Sequence, residues 1–323
     1  MDRVTAESLE AFVVETQYRE RVWGGDNLRP AVEGATPIGE AWVVYEENRV
    51  ASGKHEGRTL GDLASEYGAA LLGTKPVERT GTRFPLLIKL LDCNDWLSVQ
   101  VHPDDAQAVE LEGPGSFGKT EAWHILQAGH GARIIAGLKP GTTPGEMARA
   151  IREGTIEGLA EYMPLQRGDT VLTRARTIHA LGPGLFVYEV QQTSDFTYRV
   201  YDWGRPQGAG RALHIEQAIR VSDPAAQCEH VPAQGYSGDG VRRLVSSAYF
   251  DLVLAESRGE VLRMDTRGES FHAVTAIEGE CRIEGAGEPR TLAPYDTAII
   301  PASRGQYSIV PMGSASALVA WVD

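Results

Sequence analysis

Cysteine is scarce in this chain: Cys93, Cys228 and Cys281 lie far apart, and no C-x-x-C pair occurs in 323 residues. That excludes a cysteine-rich zinc module and fits a reducing compartment. Cys93 sits in an apolar run and reads as a small buried hydrophobe. Also missing are a basic-then-apolar leader and any apolar run near the ~20 residues that span a bilayer. The expectation is a cytoplasmic protein with no membrane partner. Positive charge is in deficit, with a formal net charge of −13. This argues against nucleic acid or an anionic membrane surface as the main partner. A small anionic substrate remains compatible, provided a few Lys and Arg converge locally. No nucleotide-binding loop is expected, and a monoester phosphate held by Lys, Arg and hydroxyl groups needs none.

What is present is the balance of a globular protein, 42% hydrophobic and 23% charged. Length allows two ordinary domains, or one large β domain with additions. Short apolar runs separated by glycine turns dominate, as in a β sandwich or barrel. Thr59 and Asp62 have capping-box spacing ahead of a stripe formed by Leu60, Leu63, Tyr67 and Leu71, which predicts a helix over 59–72. Asp104 to Leu111 reads as a second helix. Thr143, Pro144 and Glu146 open a third, and His214 to Ile219 a fourth. Pro85 to Leu91 is nearly all apolar and suits a strand buried on both faces, so Lys89 inside it needs a partner or a cavity. Residues 235–240 are the best candidate linker. The expected division is 1–234, a larger domain that carries the motifs described below, and 235–323, a C-terminal β domain whose role is packing. Gly168 to Leu172 is echoed by Tyr295 to Pro301, a sign of two copies of one β fold.

The stretch Leu97 to Asp105, LSVQVHPDD, carries the chemistry. Strand alternation puts Gln100 and His102 on one face, and Pro103 ends the run. Glu121 on the next strand and His179 in Thr177-Ile178-His179-Ala180 complete four candidate metal ligands. Two imidazoles, one carboxylate and a Gln oxygen suit Zn²⁺. One anionic ligand leaves such a site near +1, still a Lewis acid for a substrate oxygen. Lys89, Lys119, Arg199 and Arg205 gather positive charge near these strands. The other histidines, including His124 and His272, read as structural. Glu40 beside Trp42 is either a cleft residue or a surface carboxylate.

These residues resemble a known family, the type I phosphomannose isomerases in their short bacterial form. The motifs that carry the resemblance are LSVQVHPDD, Gly118 to Trp123 (GKTEAW), His179 to Gly184 (HALGPG) and Glu189 to Arg205 (EVQQTSDFTYRVYDWGR). The resemblance implies a mainly β fold of two cupin-type (jelly-roll) β-barrels with a few short helices. It implies zinc on Gln100, His102, Glu121 and His179, and interconversion of mannose 6-phosphate and fructose 6-phosphate. It also makes Arg199 the catalytic arginine and Asp195 the acid, and places Lys119 and Lys89 in the substrate site. Two departures stand out. Where the family reads Val-Pro-x-Gly-Thr, this chain has Thr173-Arg174-Ala175-Arg176-Thr177, losing the usual turn-forming pair. Arg174 or Arg176 is then a candidate for binding an extra anion. The serine usual after Gly-Glu-x-Trp is replaced by the Val43-Val44-Tyr45 run. The competing reading is a non-catalytic cupin that binds or senses a sugar phosphate.

Overall fold

Alternating burial along short segments makes this chain a strand former. In the computed structural model, which describes residues 9–30, 32, 34–206, 211–235 and 238–322, twenty-two strands and six α-helices make up most of the regular structure. The protein is mainly β. Among the described residues no helix is long and apolar enough to cross a membrane.

The helices start where their caps predict. Thr59, Asp104 and Thr143 each accept from the third helical N–H, and Asp62, Gln107 and Glu146 reach back to the cap. Each such box is worth about 1 kcal/mol. The expected helix over 59–72 is two pieces, Leu60–Tyr67 and Ala69–Leu72, because Gly68 between them takes a φ of +49°. That conformation suits glycine and interrupts the helical ladder. The third helix runs Pro144–Glu153 and stops at left-handed Gly154. The fourth spans Ile215–Val221.

The chain forms two compact units, neither continuous in sequence: Met1–Gln17, Trp42–Lys89 and Gln234–Asp323 in one, Tyr18–Ala41 and Leu90–Ala233 in the other. Of the candidate linker at 235–240, residues 236 and 237 lie outside the described residues. In the first unit a six-stranded sheet has the order Phe12–Val13, Thr297–Ile300, His272–Glu278, Ala315–Trp321, Asp251–Ser257, Gly240–Ser246. A four-stranded sheet, Leu262–Asp265, Gln306–Pro311, Cys281–Glu284, Arg290–Leu292, contributes to the same apolar core, around Val253, Val274, Ile283, Ile309 and Val319. In the second unit Glu229–Val231, Thr170–Thr173, Glu121–Ala128 and Leu185–Gln192 are successive antiparallel neighbours. Their core holds Trp123, Ile125, Val171 and Val187.

The two echoing motifs make the same turn. Gly168 N–H donates to Ile125 O at 2.8 Å, and Ile125 N–H to Asp169 O at 2.9 Å. Tyr295 N–H donates to Ala276 O at 2.7 Å, and Ala276 N–H to Asp296 O at 3.1 Å. Each aspartate carboxylate accepts from the backbone three residues earlier, Gln166 at 2.9 Å and Ala293 at 3.0 Å. Gly168 and Tyr295 both have positive φ, +87° and +76°. Each following threonine meets the neighbouring strand by side chain, His124 with Thr170 at 2.9 Å and Thr275 with Thr297 at 2.8 Å. The likeness of the two halves thus extends to individual hydrogen bonds.

Candidate metal centre

The strand Val99–Val101 buries its two valines and turns Gln100 the other way, as alternation demands. It is flanked on both sides. Arg199 on Tyr198–Tyr201 lies directly opposite Gln100. On the other edge, Gln100 and His179 exchange backbone hydrogen bonds of 3.0 and 2.9 Å. Gln100 is therefore held between Arg199 and His179. Pro103 ends the run, and its carbonyl accepts the Lys119 N–H at 3.0 Å. Glu121 opens the next strand, fully buried between Thr173 and Gln191.

Ligand-bearing atoms of His102, Glu121 and His179 lie within 4.8 Å of one another, all buried. His102 Nδ1 donates to Phe196 O at 2.8 Å and His179 Nδ1 to Thr177 O at 2.9 Å. A carbonyl only accepts, so each neutral ring carries its proton on Nδ1 and turns the Nε2 lone pair toward Glu121. His179 Nε2 is 3.1 Å from Glu121 Oε1, and His102 Nε2 is 3.6 Å from Oε2. The Gln100 amide reaches His179 Nε2 at 3.2 Å. A half-turn of that amide presents Oε1 instead.

Lys119 is the counter-ion. Its buried ammonium forms an ion pair with Glu121, 2.9 Å from Oε2, and donates to His102 Nε2 at 3.2 Å. Burial pushes the His102 pKa down to about 3, helped by Lys119. Burial works against the Glu121 charge too, but Lys119, His102 and His179 outweigh it and hold the carboxyl well below its usual range. Even so, neither Glu121 oxygen makes a well-formed hydrogen bond. Two facing acceptors at 3.1 Å, dry and without a bridging proton, are unfavourable unless a cation lies between them. The donor set fits a divalent metal.

A family model described as phosphomannose isomerase type I, catalytic domain, matches residues 12–118. The mannose-6-phosphate isomerase of Streptococcus mutans is 35% identical over 302 residues, covering 90% of this chain and 92% of its own. The chain belongs to the type I phosphomannose isomerases. A putative member from Bacillus subtilis is 33% identical over 307 residues, 90% of this chain and 93% of its own. The crystal structure of a B. subtilis mannose 6-phosphate isomerase superposes with a TM-score of 0.84 at 30% identity, over 97% of this chain and 99% of that one. The protein is thus an isomerase of this family with its cupin-type fold.

The remaining family positions fall as follows. Arg199 Nε donates to Ser98 Oγ at 3.2 Å and Nη1 to Ala212 O at 3.0 Å; burial and nearby Arg211 pull its pKa down. Asp195 is exposed in the loop before Tyr198, with no hydrogen bond or ion pair among the described residues. The carbonyl of its neighbour Phe196 is the one that orients His102. Lys89 is buried in the first unit, 5.2 Å from the Trp42 ring centroid. Glu40 is held by both nitrogens of a bidentate Arg21 contact, at 2.8 and 3.0 Å.

Two stretches noted in the sequence now have a structural context. Residues 113–120, Gly-Pro-Gly-Ser-Phe-Gly-Lys-Thr, do spell both common nucleotide-loop strings. Their context is reversed: the helix Asp105–Glu112 comes before and the strand Glu121–Ala128 after, whereas a phosphate loop needs strand first and helix second. Gly118 is there for close approach, since a Cβ would lie 2.6 Å from the Asp104 carbonyl carbon. The second stretch holds Arg174 and Arg176. Both are exposed and lie beside acids of the protein: Arg174 pairs with Glu229 at 2.7 Å, and Arg176 stands 4.0 Å from Asp223. The turn survives without glycine because Arg176 itself adopts φ +75°, its N–H donating to His102 O at 2.7 Å.

Sequence reading missed the second layer. Gln192 accepts from Thr120 N–H at 2.8 Å and donates to Asp105 at 3.0 Å, and Asp105 also accepts from Gly118 N–H at 2.8 Å. Trp123 packs against His179, ring centroids 5.3 Å apart, and donates its indole N–H to Glu189. The paired Gln191-Gln192, two amides closing the strand that begins at Leu185, was the available signal.

Proposed function

We propose that the chain interconverts mannose 6-phosphate and fructose 6-phosphate through an enediol, with one Zn²⁺ held by Gln100, His102, Glu121 and His179. One observation carries this reading: a buried two-imidazole, one-carboxylate cluster with Arg199 aligned against its Gln100, in a chain 35% identical to a mannose-6-phosphate isomerase. When bound, zinc supplies a Lewis acid beside the sugar oxygens.

The protein's own groups divide the remaining work. Aldose–ketose isomerisation moves a proton between C2 and C1, so it needs a proton carrier and a stabiliser of the developing oxyanion. Arg199, held by Ser98 and the Ala212 carbonyl, is the stabiliser. Lys119 is engaged by its ion pair with Glu121 and its hydrogen bond to His102. That leaves the unpaired, exposed carboxylate of Asp195 to carry the proton. Lys89 enters the substrate site by family resemblance alone. The residues 1–234 are the catalytic part and 235–323 the C-terminal β domain.

The test is a coupled assay for fructose 6-phosphate formed from mannose 6-phosphate, run before chelation, after it, and after zinc add-back. Turnover should vanish on chelation and return with zinc. A fully zinc-loaded chain with no turnover sinks the proposal. The sugar-phosphate sensor reading rested on the Thr173 to Arg176 departure, which the ion pairs and the Arg176 turn now account for.

A further inference from the structure

The first unit contains a cavity of about 910 Å³ at one end of its sandwich, lined by both sheets. Sequence reading had assigned this region to packing and His272 to structure. The shared turn fixes the equivalence of the two halves, with Ile125 matching Ala276. Four residues before each lie Glu121 and His272; correspondingly, Glu121 pairs with Thr173 and His272 with Ile300. His272 therefore holds in the C-terminal sandwich the place that Glu121 holds in the metal cluster.

The face around His272 changes character abruptly. Val253, Val274 and Val319 point into the apolar core. Two residues further along the same strands, on the same face, stand Asp251, His272 and Trp321. Arg243 lies across from Val253 and pairs with Asp251 at 3.3 Å. Tyr307 from the other sheet hydrogen-bonds His272 Nδ1 at 2.9 Å. A sandwich that needs only closure would continue in valine; buried charge here calls for another use. Metal is not that use, since among the described residues the only His/Cys/Asp/Glu cluster is His102, Glu121 and His179.

We propose that this cavity is a second ligand site, for a phosphorylated monosaccharide. The half-exposed Trp321 indole, 4.9 Å from the His272 ring, offers a flat apolar wall for a sugar's C–H face. Arg243, Asp251 and Tyr307 offer hydroxyl partners. The phosphate falls to Arg263 and Arg267 at the rim, exposed and without side-chain partners among the described residues. Of the carboxylates nearby, Asp265 accepts from the Arg267 backbone N–H at 2.8 Å, Glu269 pairs with Lys75 at 3.1 Å, and Glu284 accepts from Arg282 at 2.7 Å. Arg267 also holds a left-handed φ of +54°, strain of the kind that collects at binding sites. The volume is within the range for small-molecule sites. None of this depends on the isomerase reading.

The experiment is equilibrium dialysis of the zinc-loaded chain against labelled mannose 6-phosphate, in which isomerisation conserves the label. Two saturable equivalents per chain are expected. The surface double variant Arg263→Ala/Arg267→Ala should bind one, with kcat/KM for isomerisation unchanged, and Glu121→Gln should keep the one that the arginine pair governs. Mannose without its phosphate should fail to fill that second site. A single equivalent indifferent to the arginine pair overturns the proposal, as does a second equivalent that the pair leaves intact. Failure of the isomerase reading looks different: no turnover, and one equivalent lost with the arginine pair but not with Glu121→Gln.

Discussion

Glu121 and His179 face each other as two acceptors at 3.1 Å in a dry interior, so removing either should abolish the proposed zinc binding before it unfolds the chain. His102→Ala is expected to lose its zinc by elemental analysis while keeping a native β circular-dichroism spectrum; undiminished zinc strikes His102 from the ligands. Arg199→Ala should retain zinc and lose at least ~100-fold in kcat, the scale of deleting one oxyanion donor. Near-normal turnover there would show that the charge is stabilised elsewhere. His272 gives a pH signature. Burial lowers its pKa from 6.5 to about 4, with Asp265 opposing, so between these values the unfolded chain binds more protons. Stability should therefore fall as pH drops from about 6.5 to about 4, by on the order of 3 kcal/mol in all. His272→Gln should flatten that segment of a Tm-against-pH curve. At this scale the sequence was informative about side chains and silent about main chain. The types and order of Gln100, His102, Glu121 and His179 were legible, but Thr177 O and Phe196 O, which aim the imidazoles, are backbone atoms that any residue could supply.

Elements were legible wherever a cap or an alternation marked them. Thr59, Asp104 and Thr143 announced their helices because Ser, Thr and Asp side chains satisfy orphaned N–H groups. The strand Leu86–Cys93 was foreshadowed by its apolar run. What failed was conformation without a residue signature. Nothing in Arg-Ala-Arg predicts a left-handed arginine, and Gly68 splits a helix only through the φ it adopts. The Arg176 turn is testable. A non-glycine at φ +75° costs about 1 kcal/mol, and its 4.0 Å exposed pair with Asp223 returns little. Arg176→Gly should leave Tm unchanged or raise it slightly and preserve zinc content. A fall of more than about 2 kcal/mol would assign the side chain a role beyond the turn.

At the scale of the molecule, metal removal should register as lost stability as well as lost turnover. Excess zinc at a thousand times its dissociation constant is worth about 4 kcal/mol, on the order of 10 °C in Tm for a chain this size. Calorimetry with and without chelator measures it, and coincident transitions would mean that the cluster holds no ion. The repeated β plan was visible in the sequence through Gly168 to Leu172 and Tyr295 to Pro301, but the weaving of chain segments was not, because pairing between distant strands leaves no local mark. That weaving bears on how the protein is born. Phe12 pairs with Ile299, 287 residues downstream. At ordinary ribosomal speeds of about 5–20 residues per second, the N-terminal strand waits roughly 15–60 s for its partner to be synthesised. Meanwhile its unpaired edge stands open to a chaperone.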